Sequence, residues 1–221
     1  MAESLQKIVA SSGICSRRKA EQLILEGKVK VDNKVIYEPG FKVAPEHQTI
    51  TVNGKIIKPQ SDKFYFAFYK PRECLSTMSD VTDRKTIKDY LPRKLKNTKI
   101  IVAGRLDYNA TGLVILTNDG KFANYITHPR FGVKRTYRIK LNKNIDSREI
   151  EKISKKLLNV RIQNNNWISV VVPCGHEHKI PMLLLKIGAL PDKVCRIGIG
   201  NIFLGNLRPG EIKAIPKPTM E

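Results

Sequence analysis

The 221-residue chain reads as an α+β protein in two parts, a small module over residues 1–58 and a larger domain over residues 64–221, with 59–63 as the linker. Three observations predict this. Two short amphipathic helical patterns are followed by hairpin signals before residue 58. Lys58-Pro59-Gln60-Ser61-Asp62-Lys63 is polar, carries a proline and has no period. Beyond it, apolar strand-like runs alternate with short helical patterns, and the length suffices for one good core plus a small module.

In the first part, Leu5, Ile8 and Val9 recur at helical spacing and Gly13 follows, so a helix is expected over 3–12. A second helix begins behind Ser16, which can cap the free amides, with Ala20, Leu23 and Ile24 as its buried stripe and Gly27 just past its end. Its first turn is Arg17-Arg18-Lys19. Cations there oppose the helix dipole at a cost of some tenths of a kcal/mol each, whereas a phosphate would be attracted by cations and free amides together. Lys28-Val29-Lys30-Val31 alternates as a strand with the lysines outward. Asp32-Asn33 supplies a turn, and Thr49–Val52, Asn53-Gly54 and Lys55–Ile57 form a hairpin signal. Taken alone, these cations are equally compatible with an ordinary solvated face.

In the second part, Phe64–Tyr69 is apolar on both faces, as in a strand buried within a sheet, and Lys70-Pro71 ends it. Thr86–Leu91 reads as a short helix before Pro92, Lys99–Ala103 as a strand, Leu113–Leu116 as a core strand and Lys121–Ile126 as a helix. Arg135–Leu141 alternates as a strand carrying Tyr137. Residues 146–158 read as a basic amphipathic helix and Trp167–Val172 as a strand.

Forty Lys and Arg against twenty Asp and Glu give a formal charge of +20, with +4 on residues 1–58 and +16 on the remainder. Such a surplus raises the cost of compaction and is relieved by a polyanion. No stretch approaches the length of a membrane span, and Met1-Ala2-Glu3-Ser4 lacks a signal pattern, so a cytoplasmic protein without a membrane partner is expected. Cys15, Cys74, Cys174 and Cys195 form no Cys-x-x-Cys pair and read as free thiols. Cys174, His176 and His178, with Cys195, invite a zinc reading, but the spacing favours a surface turn, so no metal is expected. The glycines near 198–205 do not open a helix, and no nucleotide cofactor is indicated.

The run Gly104-Arg105-Leu106-Asp107-Tyr108-Asn109-Ala110-Thr111-Gly112-Leu113-Val114-Ile115-Leu116-Thr117-Asn118-Asp119-Gly120 places Asp107 on a loop leading into a core strand, beside Arg105. An arbitrary loop aspartate usually does no more than cap a turn. The whole run, however, resembles the signature of ribosomal RNA pseudouridine synthases with an N-terminal S4 domain. Leu5-Gln6-Lys7, Ser16–Glu21, Gly27-Lys28-Val29 and Val31-Asp32 are similar to the S4 domain itself, over residues 3–57.

The resemblance implies a mainly antiparallel mixed-sheet catalytic domain over 64–221. It also implies isomerisation of a ribosomal RNA uridine, with Asp107 as nucleophile and Arg105 beside it. Arg135-Thr136-Tyr137 matches the family's basic-x-Tyr element, whose tyrosine packs on the flipped base. Arg17, Arg18, Lys19, Lys28, Lys30, Lys70 and Arg135 are the expected RNA contacts. No cofactor is implied, because an isomerisation needs no redox partner. A monomer acting on ribosomal RNA or a subunit precursor suffices. The chain departs from the family at Ala110, where many members have Thr, and at Lys179-Ile180-Pro181-Met182, where Pro181 stands in place of a cation that faces the aspartate. Between Val160 and Trp167 it is shorter than its relatives by roughly twenty residues, a loop-scale difference. These departures keep a second reading open, a non-catalytic RNA-binding or ribosome-assembly factor on the same fold.

Overall fold

The computed structural model describes residues 2–60, 62–96, 98–154, 159–164 and 166–220. One unit comprises residues 1–63 with 93–100, the other 64–92 with 101–221. The first holds β1 (Glu3–Ser4), α1 (Leu5–Ser11), α2 (Arg17–Leu25), β2 (Val29–Val31), β3 (Lys34–Val35), β4 (Lys42–Val43), β5 (Ile50–Val52) and β6 (Lys55–Ile57). The helix expected from residue 3 begins at Leu5, because Glu3 and Ser4 are extended and pair with Val43 and Lys42. Ser16 accepts from the Lys19 amide at 3.2 Å and opens α2. Asp32, Asn33, Asn53 and Gly54 all have positive φ, the geometry that tight hairpin turns demand, and they fix the sheet order β3-β2-β5-β6. Leu5, Ile8, Ala20, Ile24, Val29 and Ile50 close its core. The short basic helix α3 (Arg93–Lys96) buries no residue, and Lys99 just beyond it donates to the Ala10 carbonyl of this same unit.

The second unit holds β7 (Tyr65–Lys70), β8 (Ile101–Ala103), β9 (Thr111–Thr117), α4 (Gly120–Thr127), β10 (Lys134–Leu141), α5 (Ser147–Ser154), β11 (Asn159–Asn164), β12 (Trp167–Pro173), α6 (Lys179–Leu185), β13 (Pro191–Ile199), β14 (Ile202–Phe203) and β15 (Ile212–Ala214). The strands form one nine-stranded mixed sheet, β11-β12-β10-β13-β9-β7-β15, with β14 on β13 and β8 on β9. Its ladders are antiparallel apart from β9 beside β13. The helix expected at 86–91 is a 3-10 turn over Ile87–Tyr90, capped by Thr86 and Asp89 and halted before Pro92. Of the helix expected over 146–158, Ser147–Ser154 is helical and residues 155–158 lie outside the described residues.

Alternation along β10 sets the layers. Tyr137, Ile139 and Leu141 point to a face that Ile153 of α5 and Ile180, Leu183 and Leu184 of α6 cover. Lys134 and Arg138 point to the opposite face and are exposed. A second cluster forms where Phe122, Ala123 and Ile126 of α4 pack on Tyr65, Ala67, Leu113 and Ile115. Asp119 caps α4 by accepting from the Lys121 and Phe122 amides, so the turn after β9 is pinned to the helix that covers it.

Candidate active site

Residues 104–110 connect β8 to β9 and carry Asp107. Their main chain is gripped from below by three side chains. Arg196, 2 % exposed, donates to the carbonyls of Gly104, Arg105 (3.4 Å) and Leu113 (2.9 Å). Lys70, wholly buried, donates to the carbonyls of Tyr108 (3.1 Å), Ala110 (2.7 Å) and Pro71 (2.9 Å). Ser76 exchanges bonds with both polar groups of Leu106, donating to its carbonyl at 2.7 Å and accepting from its amide at 2.9 Å. A turn closed by the Ala110 amide on the Asp107 carbonyl completes the loop.

This bonding accounts for what two buried cations are doing in a protein interior. An ammonium or guanidinium inside is costly unless its donors are used, and here they are used on carbonyls. Burial pulls the Lys70 ammonium below the usual lysine value, with Cys74 and Asp107 opposing the shift. Burial likewise lowers Arg196, with Tyr137 opposing. Lys70 is therefore a cation that interacts electrostatically with Asp107 from beneath the loop.

Above the loop, Asp107 is exposed in a cleft of about 520 Å³ lined by Leu75, Ser76, Thr77, Asp80, Arg84, Arg105 and Tyr108. Arg84 donates through Nε and Nη2 to the two oxygens of Asp80, each at 3.0 Å, and Thr82 donates to Asp80 at 2.6 Å. These bonds hold the Asp80 carboxyl well below the usual carboxylate range, and Arg84 is raised in return. Arg84 and Arg105 thus line the same cleft as Asp107, with the Arg84 guanidinium taken up by Asp80.

Tyr137 and Arg196 are register partners across β10 and β13, and both are buried. Burial raises the Tyr137 hydroxyl above its usual value, and Arg196 opposes the rise. Leu106, next to Asp107, packs against the cluster that contains Tyr137. Arg135 is 1 % exposed and donates to the Ile126 carbonyl and to Cys174 Sγ (3.2 Å), with Glu177 at 3.5 Å.

Two expected RNA contacts are thereby corrected. Lys70 and Arg135 are enclosed by protein and bonded to internal acceptors, so neither offers its charge to a phosphate. Arg17, Arg18, Lys19, Lys28 and Lys30 are all exposed, with Lys28 paired to Glu26 at 2.7 Å.

Residues 174–178 form a turn in which Cys174 faces inward and donates to the Thr127 carbonyl at 3.1 Å, while Cys195 lies against the Tyr69 hydroxyl. Pro181 sits in the first turn of α6 and is exposed, a position where proline is tolerated. Sequence reasoning passed over Arg196, Ser76 and Arg84. Only Arg196 carried a signal, a cation set among Val194, Cys195 and Ile197 in an apolar strand.

Comparison with known proteins agrees with this architecture. A family model described as RNA pseudouridylate synthase matches residues 64–180, and one for the S4 domain matches residues 3–49. An uncharacterised RNA pseudouridine synthase of Aquifex aeolicus is 36 % identical over 94 % of this chain and 88 % of its own length. The ribosomal large subunit pseudouridine synthase B of Bacillus subtilis is 45 % identical over 67 % of this chain and 59 % of its own. A crystal structure of a pseudouridylate synthase superposes with a TM-score of 0.67 over 97 % of this chain and 96 % of that one, at 22 % identity, which speaks for the fold. The chain belongs to the RNA pseudouridylate synthase family and carries an S4 domain ahead of its catalytic fold.

Proposed function

We propose that this protein isomerises a specific uridine of ribosomal RNA to pseudouridine, with Asp107 as the nucleophile. The observation that carries the reading is an exposed carboxylate in a cleft, on a loop whose carbonyls are held by Lys70, Ser76 and Arg196. A nucleophile fixed through its main chain enters the reaction already oriented.

In this reading the target nucleotide leaves its stack and the Asp107 carboxylate attacks the ribose carbon that bears the base. The carbon–nitrogen bond breaks and its electron pair departs with uracil. The base turns, its C5 attacks the same ribose carbon and displaces the carboxylate, the C5 proton is lost and N1 gains one. Tyr137, buried with Leu106 packed against its cluster, backs the wall of the site that the entering base meets. Arg105 holds the phosphate next to the extruded nucleotide. Arg17, Arg18, Lys19, Lys28 and Lys30 contact the structured RNA through the S4 domain.

Pro181 stands where the family pattern has a cation, but the matching family model and the curated relatives are RNA pseudouridine synthases, and Lys70 remains a charge coupled to Asp107. For that reason catalysis is favoured over a role as an assembly factor alone. The name of the Bacillus subtilis relative, a ribosomal large subunit pseudouridine synthase, makes ribosomal RNA the substrate to test, and a ribosomal substrate accords with the expected cytoplasmic location. Among the described residues no helix is long and apolar enough to cross a membrane.

The test is a map of pseudouridine in ribosomal RNA from cells with and without the gene. One site lost on deletion, restored by the parent and not by Asp107→Asn, is expected. Restoration by Asp107→Asn equal to the parent would overturn the assignment.

A further inference from the structure

The face of the sheet opposite Tyr137, along β11, β12, β10 and β13, has an unusual composition. Ladder register places Arg161, Ser169, Arg138 and Cys195 side by side in one row, and Trp167, Lys140 and Lys193 in the next. Lys134 lies further along the same face of β10. Arg161, Arg138, Lys193 and Lys134 are exposed, whereas the reverse side of β10 and β12 is buried under α5 and α6. None of the ladder-paired residues described on this face is acidic, and Asp192 stands in the β13 register shift beside Lys193.

Two details set this apart from a solvated face. Lys140 and Lys193 are directly opposite one another across an antiparallel pair, an arrangement that destabilises a sheet by self-repulsion. The Arg138 guanidinium lies 4.7 Å over the Trp167 ring, which holds a long, flexible side chain in place and covers the ring. A planar donor group is thus presented outward, and Arg161 stands two strands away at roughly 10 Å. Fixed cations at that spacing, with the Trp167 ring already covered, suit phosphates.

We infer that this open face is a second RNA-contact surface, taking the phosphate backbone of a double-stranded RNA segment remote from the target uridine. The inference rests on the proposed ribosomal RNA substrate. Leu106 packs with the Tyr137 side of the sheet, so the RNA that feeds the cleft and the RNA on this face meet the second unit on different sides. A large folded RNA can do both, and a short hairpin cannot.

The experiment compares the full-length parent with the variant Arg138→Gln, Lys140→Gln, Lys193→Gln in binding to protein-free large-subunit ribosomal RNA across a salt series. A parallel series uses a hairpin of about 20 nucleotides. Thermal unfolding of both proteins checks that the variant folds. For the long RNA, affinity is expected to fall about tenfold or more and the log–log salt slope to flatten by about 2. For the hairpin, the difference between parent and variant is expected to be smaller.

An unchanged affinity and slope on the long RNA would overturn the inference. If that result came with weakened association to intact ribosomal subunits, the occupant would be an acidic protein and the RNA assignment would fall. Binding is read without turnover. A parent that made no pseudouridine would therefore remove the enzymatic reading and leave this comparison interpretable.

Discussion

Gly112 and Arg196 face each other where β9 and β13 run parallel, and a Cβ added at Gly112 would meet the Arg196 carbonyl carbon at 2.8 Å, with its amide and carbonyl oxygen closer still. Gly112 also has a φ of +116°, which L side chains rarely adopt. The close approach brings the Arg196 side chain under the loop that carries Asp107.

Gly112→Ala should therefore strain the backbone and push β13 away from β9 at once. The expected cost is about 2–4 kcal/mol of stability, with loss of pseudouridine formation. Thermal unfolding of the variant against the parent checks this. A change below about 0.5 kcal/mol would mean that the two strands have slack the structure does not show.

Lys70→Met keeps the volume and removes the charge. The carbonyls of Pro71, Tyr108 and Ala110 then lose their donor, so stability should fall by about 1–3 kcal/mol. Turnover should fall roughly a hundredfold or more as the loop loses its position, with the salt dependence of RNA binding unchanged. Normal turnover with a flatter salt slope would restore Lys70 to the RNA-contact role expected from sequence.

Tyr65 donates to Asp119 at 2.8 Å, and burial together with that carboxylate pushes its hydroxyl from 10.0 up to about 12. A value raised on folding means that the stabilisation is complete below pH 10 and is lost as the pH climbs from about 10 through about 12. Tyr65→Phe should lower stability near pH 8 by about 1–2 kcal/mol and shrink the fall between pH 10 and 12. Part of that fall should persist, because Tyr69 is also pushed up to about 12. A denaturant titration at each pH reads both effects, and identical alkaline profiles would refute the role given to this bond.

Local chemistry made much of the fold legible. Ser16, Asp32-Asn33 and Asn53-Gly54 each act within a few residues of themselves, and the alternation along 134–141 needs no partner to be read. The pairing of Glu3–Ser4 with Lys42–Val43 left no trace, since two residues carry no period. The site was half visible. Asp107 and Arg105 stand together in sequence and share a cleft. Lys70 follows an apolar run and looks like an exposed strand end. Its burial depends on the carbonyls of Tyr108 and Ala110, some forty residues later. Arg196 reaches Gly104 across ninety-two positions, a distance over which no sequence pattern speaks.

The grip on residues 104–110 has a consequence for how this stretch tolerates change. Lys70, Ser76 and Arg196 hold carbonyl and amide groups, which every amino acid except proline, lacking the amide hydrogen, brings to its position whatever its side chain. Apart from Gly104, whose φ of +80° favours glycine, the shape of the loop is therefore largely independent of its spelling. Ala110 is held by Lys70 through its carbonyl oxygen, which a residue with any other side chain would also offer. Tyr108 and Asn109 are free to adapt to a particular RNA in the same way. A lineage can thus retune the rim of the cleft by ordinary point substitution while Asp107 stays where it is held.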